Sequence, residues 1–466
     1  MTVKMVLKLK RLRARISKWF LEFPGRSSVI GFSLLIATGT ALLMLPAASA
    51  GPPVKFIDAL FTATSASCVT GLVVMDTGTA LTPWGQGVIL LLIQIGGLGI
   101  MTISTLFLML AGKRPGMMER MAIRDTFTHQ KDRKAADILR EVMLFAFSIE
   151  AAGALILFFC FLPDNSPGRA LYTGVFHAIS AFCNAGFSLF ADSLTGYRES
   201  WVINLTVSFL IITGGVGFLV LSELRGHLRF SRRTWSRLSL HSKLALSSTL
   251  MLLGVSTLLF LFMEWDNTLT PLSVPGRILA AFFQAVSART AGFNTLAFEH
   301  MANETLFLII VMMFIGACPG SCGGGVKTTT IFSLTLLGLS RFQGHDRPRI
   351  FRRSIPEASV WRAVNVVMIS SLVIVLALML LLISELGNVS HLQSRGKFLE
   401  FFFEVVSAFG TVGLSTGVTA GLSLPGKLII TAVMFIGRLG PLVIGIAFSR
   451  RRRIRYHYAE EQIMIG

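Results

Sequence analysis

Hydrophobic residues gather into eight long runs along the chain. They cover about residues 28–50, 84–112, 141–162, 201–224, 244–264, 304–340, 363–386 and 426–449. A helix needs roughly 20 apolar residues to cross a bilayer, and each run is about that long or longer. Between the members of each successive pair lies a shorter segment of repeated pattern. The four segments are Phe61 to Leu72, Phe176 to Phe187, Phe282 to Phe293 and Phe403 to Leu414. In each, a Phe stands ten residues before a Gly, a small residue (Ala66, Ala181, Ser287, Ala408) stands five before it, and Leu or Phe follows it. The Gly-to-Gly intervals are 115, 106 and 121 residues, near-even spacing that marks an internal repeat.

These segments are too short to cross twice as helix, so each reads as a re-entrant hairpin that descends as a half-helix and returns as extended loop. The unit is then helix, hairpin, helix (M-P-M). The predicted fold is an all-α integral membrane protein of four consecutive M-P-M repeats around a central pore, with eight transmembrane helices. Bare backbone at membrane depth is tolerated only beside protein or a water-filled path, so the four loops should meet around a common axis. The expected organisation is an N-terminal basic segment at 1–27, repeat 1 at 28–112, a linker at 113–140 and repeat 2 at 141–225. A linker at 226–243, repeat 3 at 244–340 with a broken second helix, a linker at 341–362, repeat 4 at 363–449 and a tail at 450–466 complete it.

Charge orients this picture. The net charge is +19, and 33 of the 43 Lys and Arg residues fall in five patches, at 1–26, 113–140, 225–243, 341–362 and 450–455. Apolar runs separate the patches, which is the positive-inside pattern. It places both termini and three loops in the cytoplasm, of a multi-pass protein of the cell's inner (plasma) membrane. The basic excess then sets topology and meets anionic membrane lipid, and no nucleic acid is needed to explain it. Composition agrees: 53% of residues are hydrophobic and 14% charged, against about 25% charged in soluble domains. The first apolar run reads as a membrane helix rather than a removed signal. Five cysteines are an odd number without zinc-finger spacing, so no transition-metal site is expected.

Carbonyls turned toward an axis can replace the hydration shell of a small cation. Gly71, Gly186, Gly292 and Gly413 would permit the required backbone, and Val69-Thr70, Asn184-Ala185, Thr290-Ala291 and Thr411-Val412 would supply the carbonyls. Their side chains differ, which suits a site read through backbone. Half-helices running inward would also aim the negative ends of their dipoles at the path.

Further residues stand out. The second run of the third unit is interrupted by Gly316-Ala-Cys-Pro319-Gly320-Ser-Cys-Gly323-Gly324-Gly325. Pro319 removes a helix donor and the glycines weaken helix, so this segment should line a cavity. It is not a phosphate loop, because Val326 separates Gly325 from Lys327. Arg438 lies within the last apolar run, where the matching positions are Gly97, Gly215 and Ala317. A charge at that depth reads as a barrier to cations, the alternative being a structural Arg bonded to loop carbonyls. Lys327 has two open readings, a gate residue or a side chain snorkelling to the surface. Glu150 should pair with a buried polar group. Arg289 would be unfavourable beside a cation path and is expected to pair with Glu404 or Asp58. Asp58, Asp76, Asp192 and Glu299 either concentrate cations outside or are plain solvated surface.

The ordered set Thr64-Ser-Ala, Val69-Thr-Gly-Leu72, Gln94-Ile-Gly-Gly-Leu-Gly99, Ser287-Ala-Arg-Thr-Ala-Gly-Phe-Asn294, Gly323-Gly-Gly-Val-Lys327-Thr and Ile436-Gly-Arg438-Leu-Gly-Pro441 resembles the Trk/Ktr/HKT superfamily of K+ transporters. The resemblance spans about residues 28–450 and is nearest to the Ktr-type membrane, ion-translocating subunit. It implies K+ uptake through a selectivity filter at the four loops, with the Gly-rich segment as an intramembrane gate joined by Arg438. It also implies a homodimer on a cytoplasmic ring of RCK-type nucleotide-binding regulatory subunits, K+ as the transported ion, no covalent cofactor, and Na+ as a possible activator. Gly at all four filter positions resembles the K+-selective members. The competing readings are a weakly selective Na+/K+ cation transporter and an ion-coupled secondary transporter. An intramembrane enzyme would need paired Asp residues or a His-Glu-x-x-His constellation, and the sequence offers neither.

Overall fold

The computed structural model describes residues 24–110, 135–225, 232–345, 348–351, 353–387 and 389–440. Residues 1–23 of the expected basic segment at 1–27, most of the 113–140 linker, residues 226–231, the last residues of the expected repeat 4 (441–449) and the expected tail at 450–466 lie outside the described residues.

The described helices fall into four consecutive sets. The first is α1 (Pro24–Leu43), α2 (Phe56–Ser67) and α3 (Pro83–Leu110). The second is α4 (Ala135–Phe161), α5 (Pro167–Phe182), α6 (Trp201–Val216) and α7 (Phe218–Arg225). The third is α8 (Leu240–Glu264), α9 (Val274–Ser287), α10 (Asn303–Phe314) and α11 (Thr328–Phe342). The fourth is α12 (Glu357–Leu386), α13 (Lys397–Gly410) and α14 (Leu424–Leu439). A two-stranded antiparallel hairpin, β1 (Arg349–Ile350) with β2 (Arg353–Ser354), joins the third set to the fourth.

Local signals start these helices where the sequence places them. Ser273 and Ser423 cap α9 and α14, accepting from the backbone N–H groups of Gly276 and Gly426, and α5, α9 and α14 carry Pro in their first turn. Two side chains repeat a further device. Glu264, at the end of α8, accepts from Ala302 N at 2.9 Å, and Glu385, near the end of α12, accepts from Ser423 N at 3.2 Å. Each carboxylate thereby ties the first helix of its set to the start of the helix that follows the short helix.

Burial separates two kinds of helix. The short helices α2, α5, α9 and α13 are buried almost throughout their C-terminal halves. The long helices turn apolar side chains outward, as α12 does with Leu372, Val375, Leu376, Met379, Leu380 and Ile383. That much exposed aliphatic surface suits lipid and not water. Among the described residues three helices, Arg140–Phe161, Leu240–Glu264 and Glu357–Leu386, are long and apolar enough to cross a membrane, or up to four counting the bent pair of α6 and α7.

The second long segment is interrupted in the first and second sets as well as in the third, where alone the sequence pointed to a break, and α14 of the fourth set ends at Gly440. Gly99, Gly217, Gly320 and Gly440 all take positive φ, at 78°, 99°, 72° and 81°. The α6–α7 pair bends by 99° at Gly217. Gly99, Gly217 and Gly440 turn the chain at a helix kink or end, and Gly320 turns it within the loop between α10 and α11, without the cost a side chain would bring.

Packing between sets runs in a closed circle. The helix that follows the short helix in each set lies against the short helix of the next: α3 on α5, α6 on α9, α10 on α13, and α14 back on α2. One buried cluster, with Phe403, Phe409 and Met434, fills the space around the third and fourth sets. Another, with Phe176, Phe182 and Phe187, fills that around the first and second.

Candidate ion pathway

Each short helix ends the same way. The chain leaves it through one non-glycine residue in the left-handed region: Val69 (φ 57°), Asn184 (60°), Thr290 (66°) and Thr411 (49°). Two residues later comes a glycine of positive φ: Gly71 (96°), Gly186 (70°), Gly292 (79°) and Gly413 (92°). The sequence singled out the glycines. The left-handed residues before them were not predicted, because Val and Thr are poor candidates for that conformation.

These turns form a ring. A Cβ added at Gly71 would stand 2.5 Å from the Ala185 carbonyl oxygen and 3.1 Å from Gly186 Cα. One at Gly186 would stand 2.8 Å from the Ala291 oxygen and 2.9 Å from Gly292 Cα. One at Gly292 would strike the Val412 oxygen, and one at Gly413 the Thr70 oxygen. The circle closes, and glycine is required for the approach of neighbouring backbones as well as for φ.

Amide groups of the loops turn back into their own helices. Thr70 N donates to Ser65 O (2.8 Å), Ala185 N to Ser180 O (2.7 Å), Ala291 N to Ser287 O (3.0 Å) and Val412 N to Ser407 O (2.9 Å). Serine side chains complete the turns. Gly71 N and Gly413 N donate to the hydroxyls of Ser65 and Ser407, each at 3.1 Å, while the Ser180 and Ser287 hydroxyls donate to the carbonyls of Phe187 and Phe293. The sequence reading missed these serines, although Ser65, Ser180 and Ser407 each stand six residues before the ring glycine. With the amides so engaged, the carbonyls of Val69, Thr70, Asn184, Ala185, Thr290, Ala291, Thr411 and Val412 accept no hydrogen bond among the described residues. Their residues are buried. Buried carbonyls are rarely left without a partner, so this ring presents open acceptor positions.

Directly against the ring lies the Gly-rich segment between α10 and α11. It is pinned to α6 by Cys318 N to Gly215 O (3.0 Å) and Cys322 N to Gly214 O (3.1 Å), and to its own ends by Gly316 N to Val326 O (2.8 Å). Phe218 N donates to Gly320 O at 3.0 Å, so the loop also meets the start of α7. A Cβ at Gly323 would overlap the Thr290 hydroxyl, and one at Gly324 the Thr411 hydroxyl. Gly325 takes φ 67° and passes Gly410 closely. Gly316, Pro319, Gly320, Gly323, Gly324 and Gly325 are thus gathered in one loop abutting the ring.

Arg438 reaches that loop from α14. Its guanidinium donates to the carbonyl of Cys322 and, on the other side, to that of Gly96 in α3. The side chain therefore makes the carbonyl bonds of the structural reading. Lys327 does not snorkel. Its Nζ turns into the loop and donates to Gly323 O at 2.7 Å and to Gly324 O at 3.4 Å.

Several expected partners differ. Arg289 pairs with neither Glu404 nor Asp58. It is buried and donates to the Thr249 hydroxyl at 3.2 Å, with its Nε unpartnered, because its side chain points away from the ring toward α8. Glu404 instead accepts from the hydroxyls of Ser415 (2.9 Å) and Thr419. Asp58 accepts from Lys427 at 2.7 Å, joining the first set to the fourth. Glu150 is buried and its polar partner is the half-buried Gln94, whose Nε2 donates to both carboxylate oxygens at 3.1 Å. Asp76 caps the turn of helix at 77–80, accepting from Gly78 N. Asp192 and Glu299 line a cavity of about 720 Å³ that also includes Asn294 and Ser415, each two residues past a ring glycine.

Long apolar helices surrounding a ring of four inward-turned loops define an integral membrane transport protein. Residues 14–452 match the family described as TrkH, cation transport protein, and the chain belongs to that family. It is 40% identical over 454 residues to the Ktr system potassium uptake protein B of Bacillus subtilis, covering 97% of this chain and 99% of that protein. It is 37% identical to the potassium/sodium uptake protein NtpJ of Enterococcus hirae, covering 99% and 100%. The crystal structure of the potassium transporter TrkH from Vibrio parahaemolyticus has the same fold, with a TM-score of 0.72 at 20% identity over 90% of this chain and 83% of that one.

Proposed function

We propose that this chain is the K+-translocating membrane subunit of a Ktr-type uptake system. The observation that carries the reading is the ring of eight buried carbonyls without donors, contributed by Val69-Thr70, Asn184-Ala185, Thr290-Ala291 and Thr411-Val412. Carbonyl dipoles at that density replace the hydration shell of a monovalent cation and select it by number and field strength. Four M-P-M repeats with eight crossings surround the ring in this reading, and both termini face the cytoplasm. The repeats, linkers and tail follow the boundaries drawn from the sequence. The Gly-rich loop with Lys327 and Arg438 closes the path below the filter. A homodimer docks on a cytoplasmic RCK-type ring, whose nucleotide state moves that loop, and Na+ acts as an activator. The names of the relatives support K+ as the cargo.

The second reading is a weakly selective Na+/K+ transporter, favoured by the potassium/sodium name of the Enterococcus relative. Uptake of ⁸⁶Rb+ into proteoliposomes, with K+, Na+ and Li+ as competitors, separates the two. For the K+ filter, K+ competes far better than Na+, and Gly71→Ser narrows that gap. Equal competition by Na+ in the wild type, or no flux with the cytoplasmic partner present, overturns it.

A further inference from the structure

Past the ring glycines, the second and fourth loops are each tied back to their own short helix by a buried titratable side chain. His177 of α5 and Glu404 of α13 stand at the same place, nine residues before Gly186 and Gly413. Both are fully buried. His177 Nε2 lies 3.0 Å from the hydroxyl of Ser188, and Glu404 accepts from the hydroxyl of Ser415 at 2.9 Å. These serines again share a register, two residues past the glycine. Each serine oxygen then accepts from the backbone N–H two residues on, Phe190 N at 3.0 Å and Gly417 N at 3.0 Å. The two loops carry one device built from different side chains.

The hydrogen on the imidazole follows from its partners. His177 Nδ1 stands 2.8 Å from the Thr173 carbonyl, which can only accept, so Nδ1 carries the hydrogen and Nε2 of the neutral ring accepts from Ser188. Phe190 stacks on that ring at 4.9 Å between centroids, and Phe293, which follows Gly292 in the third loop, lies at 6.3 Å. The third loop has its own version of the tie. Gln284, with its amide oxygen turned to the loop, accepts from Thr295 N and Leu296 N at 3.1 Å each. In the first loop Thr62 holds the place of His177, and its hydroxyl has no partner among the described residues.

The inner limb of each loop is already held by the amide bonds to its helix, and the glycine between the limbs is the softest link. A buried acceptor that fixes the outer limb to the same helix removes that freedom. Packing alone needs no polar group here, since Phe283 fills the same place of α9 and is fully buried. The second and fourth loops face each other across the ring, because the circle of close approaches runs from the first through the fourth in order.

Building on the proposed K+ pathway, we propose that His177 and Glu404 are positioning residues for ion selection. Acting through Ser188 and Ser415, they hold two opposite loops apart and keep their carbonyls from closing on an ion smaller than K+. Neither side chain touches the ion. A side chain that only stabilised the fold would change the amount of folded protein and the rate of uptake, and would leave the choice between ions alone.

The test is ⁸⁶Rb+ uptake by the full-length chain with its cytoplasmic partner in proteoliposomes, with the unfolding midpoint read on the same preparations. Preference is the ratio of the Na+ to the K+ concentration that halves uptake. Ser188→Ala and Ser415→Ala each remove one hydroxyl and should lower that ratio about threefold to tenfold, the factor one hydrogen bond supplies. Glu404→Gln keeps an acceptor for Ser415 and should stay within about twofold of the wild type, whereas Glu404→Leu should lose at least as much as Ser415→Ala. Glu264→Leu, which cuts the tie between α8 and α10, is the control and should lower the midpoint with the ratio unchanged. If Glu404→Leu does not fold, the two serine variants decide. A wild-type ratio in both of them overturns the positioning role while K+ stays preferred. A loss in Glu404→Gln equal to that in Glu404→Leu, or a fall in the ratio of Glu264→Leu, overturns it as well. A wild type that does not prefer K+ overturns the pathway reading and the positioning role with it.

Discussion

Gly186→Ala tests the ring most directly. At φ 70° a side chain costs about 1–2 kcal/mol relative to glycine. The new Cβ would also stand 2.8 Å from the Ala291 oxygen, 2.9 Å from Gly292 Cα and 3.2 Å from Gly292 C. Ordinary contact begins near 3.4 Å, so the adjacent loop must move by about 0.6 Å. All three atoms are backbone, so no flexible side chain can absorb the shift. Overpacking of this kind adds about 1–3 kcal/mol. The total, about 2–5 kcal/mol, falls on the carbonyl proposed to face the ion. A loss of about 1.4 kcal/mol in K+ binding alone weakens apparent affinity tenfold. The variant should therefore lower the unfolding midpoint and raise the K+ concentration for half-maximal inhibition of ⁸⁶Rb+ uptake by about tenfold or more. Gly254→Ala in α8 is the control, since nothing lies within 4 Å of its Cβ. It should be neutral, or more stable by up to about 1 kcal/mol, with unchanged uptake. If Gly186→Ala behaves like Gly254→Ala in both assays, the ring does not depend on close backbone approach and the reasoning is wrong.

Two further outcomes follow from buried charge. Asp58→Asn breaks the half-buried pair with Lys427 that ties the first set to the fourth, and should cost about 1–3 kcal/mol of stability in a detergent melt. Asp58→Lys combined with Lys427→Asp should recover part of it, and no recovery would mean the pair does not join the sets. Arg289→Met replaces a buried guanidinium that has one hydroxyl partner and an unpartnered Nε, so it should leave the protein equally stable or more so. A large loss of stability or of ⁸⁶Rb+ uptake would show that the charge is needed.

Much of the ring was legible because its cause is local. Each loop needs glycine at one place, and the same ten-residue spacing from a Phe recurs four times, so Gly71, Gly186, Gly292 and Gly413 could be aligned without coordinates. Ser65, Ser180 and Ser407 were equally periodic, but serine is common in membrane helices, and its role appears only once the Gly71 and Gly413 amides and the Phe187 carbonyl are seen turned toward it. The break in the third unit was legible from Pro319 and the glycines. Those at Gly99 and Gly217 and the helix end at Gly440 were not, because a single glycine within an apolar run is as compatible with straight helix as with a turn.

The sequence by itself determined the helical membrane class of fold and the four ring glycines Gly71, Gly186, Gly292 and Gly413, because each follows from hydrophobic length, spacing or the freedom of one backbone position. Only the tertiary structure decided which carbonyl meets which glycine, and that the circle closes through Thr70 and Gly413. It also decided the partners of the charges. Arg289 turned to Thr249, Asp58 to Lys427, and Arg438 and Lys327 to the carbonyls of one loop. A charged side chain inside such a fold takes whichever donor or acceptor packing brings within reach, and Lys427 stands 369 residues from Asp58. Spacing along the chain carries no information about such a pair. Its partner is set by the packing of α14 against α2, which exists only after the chain has closed on itself.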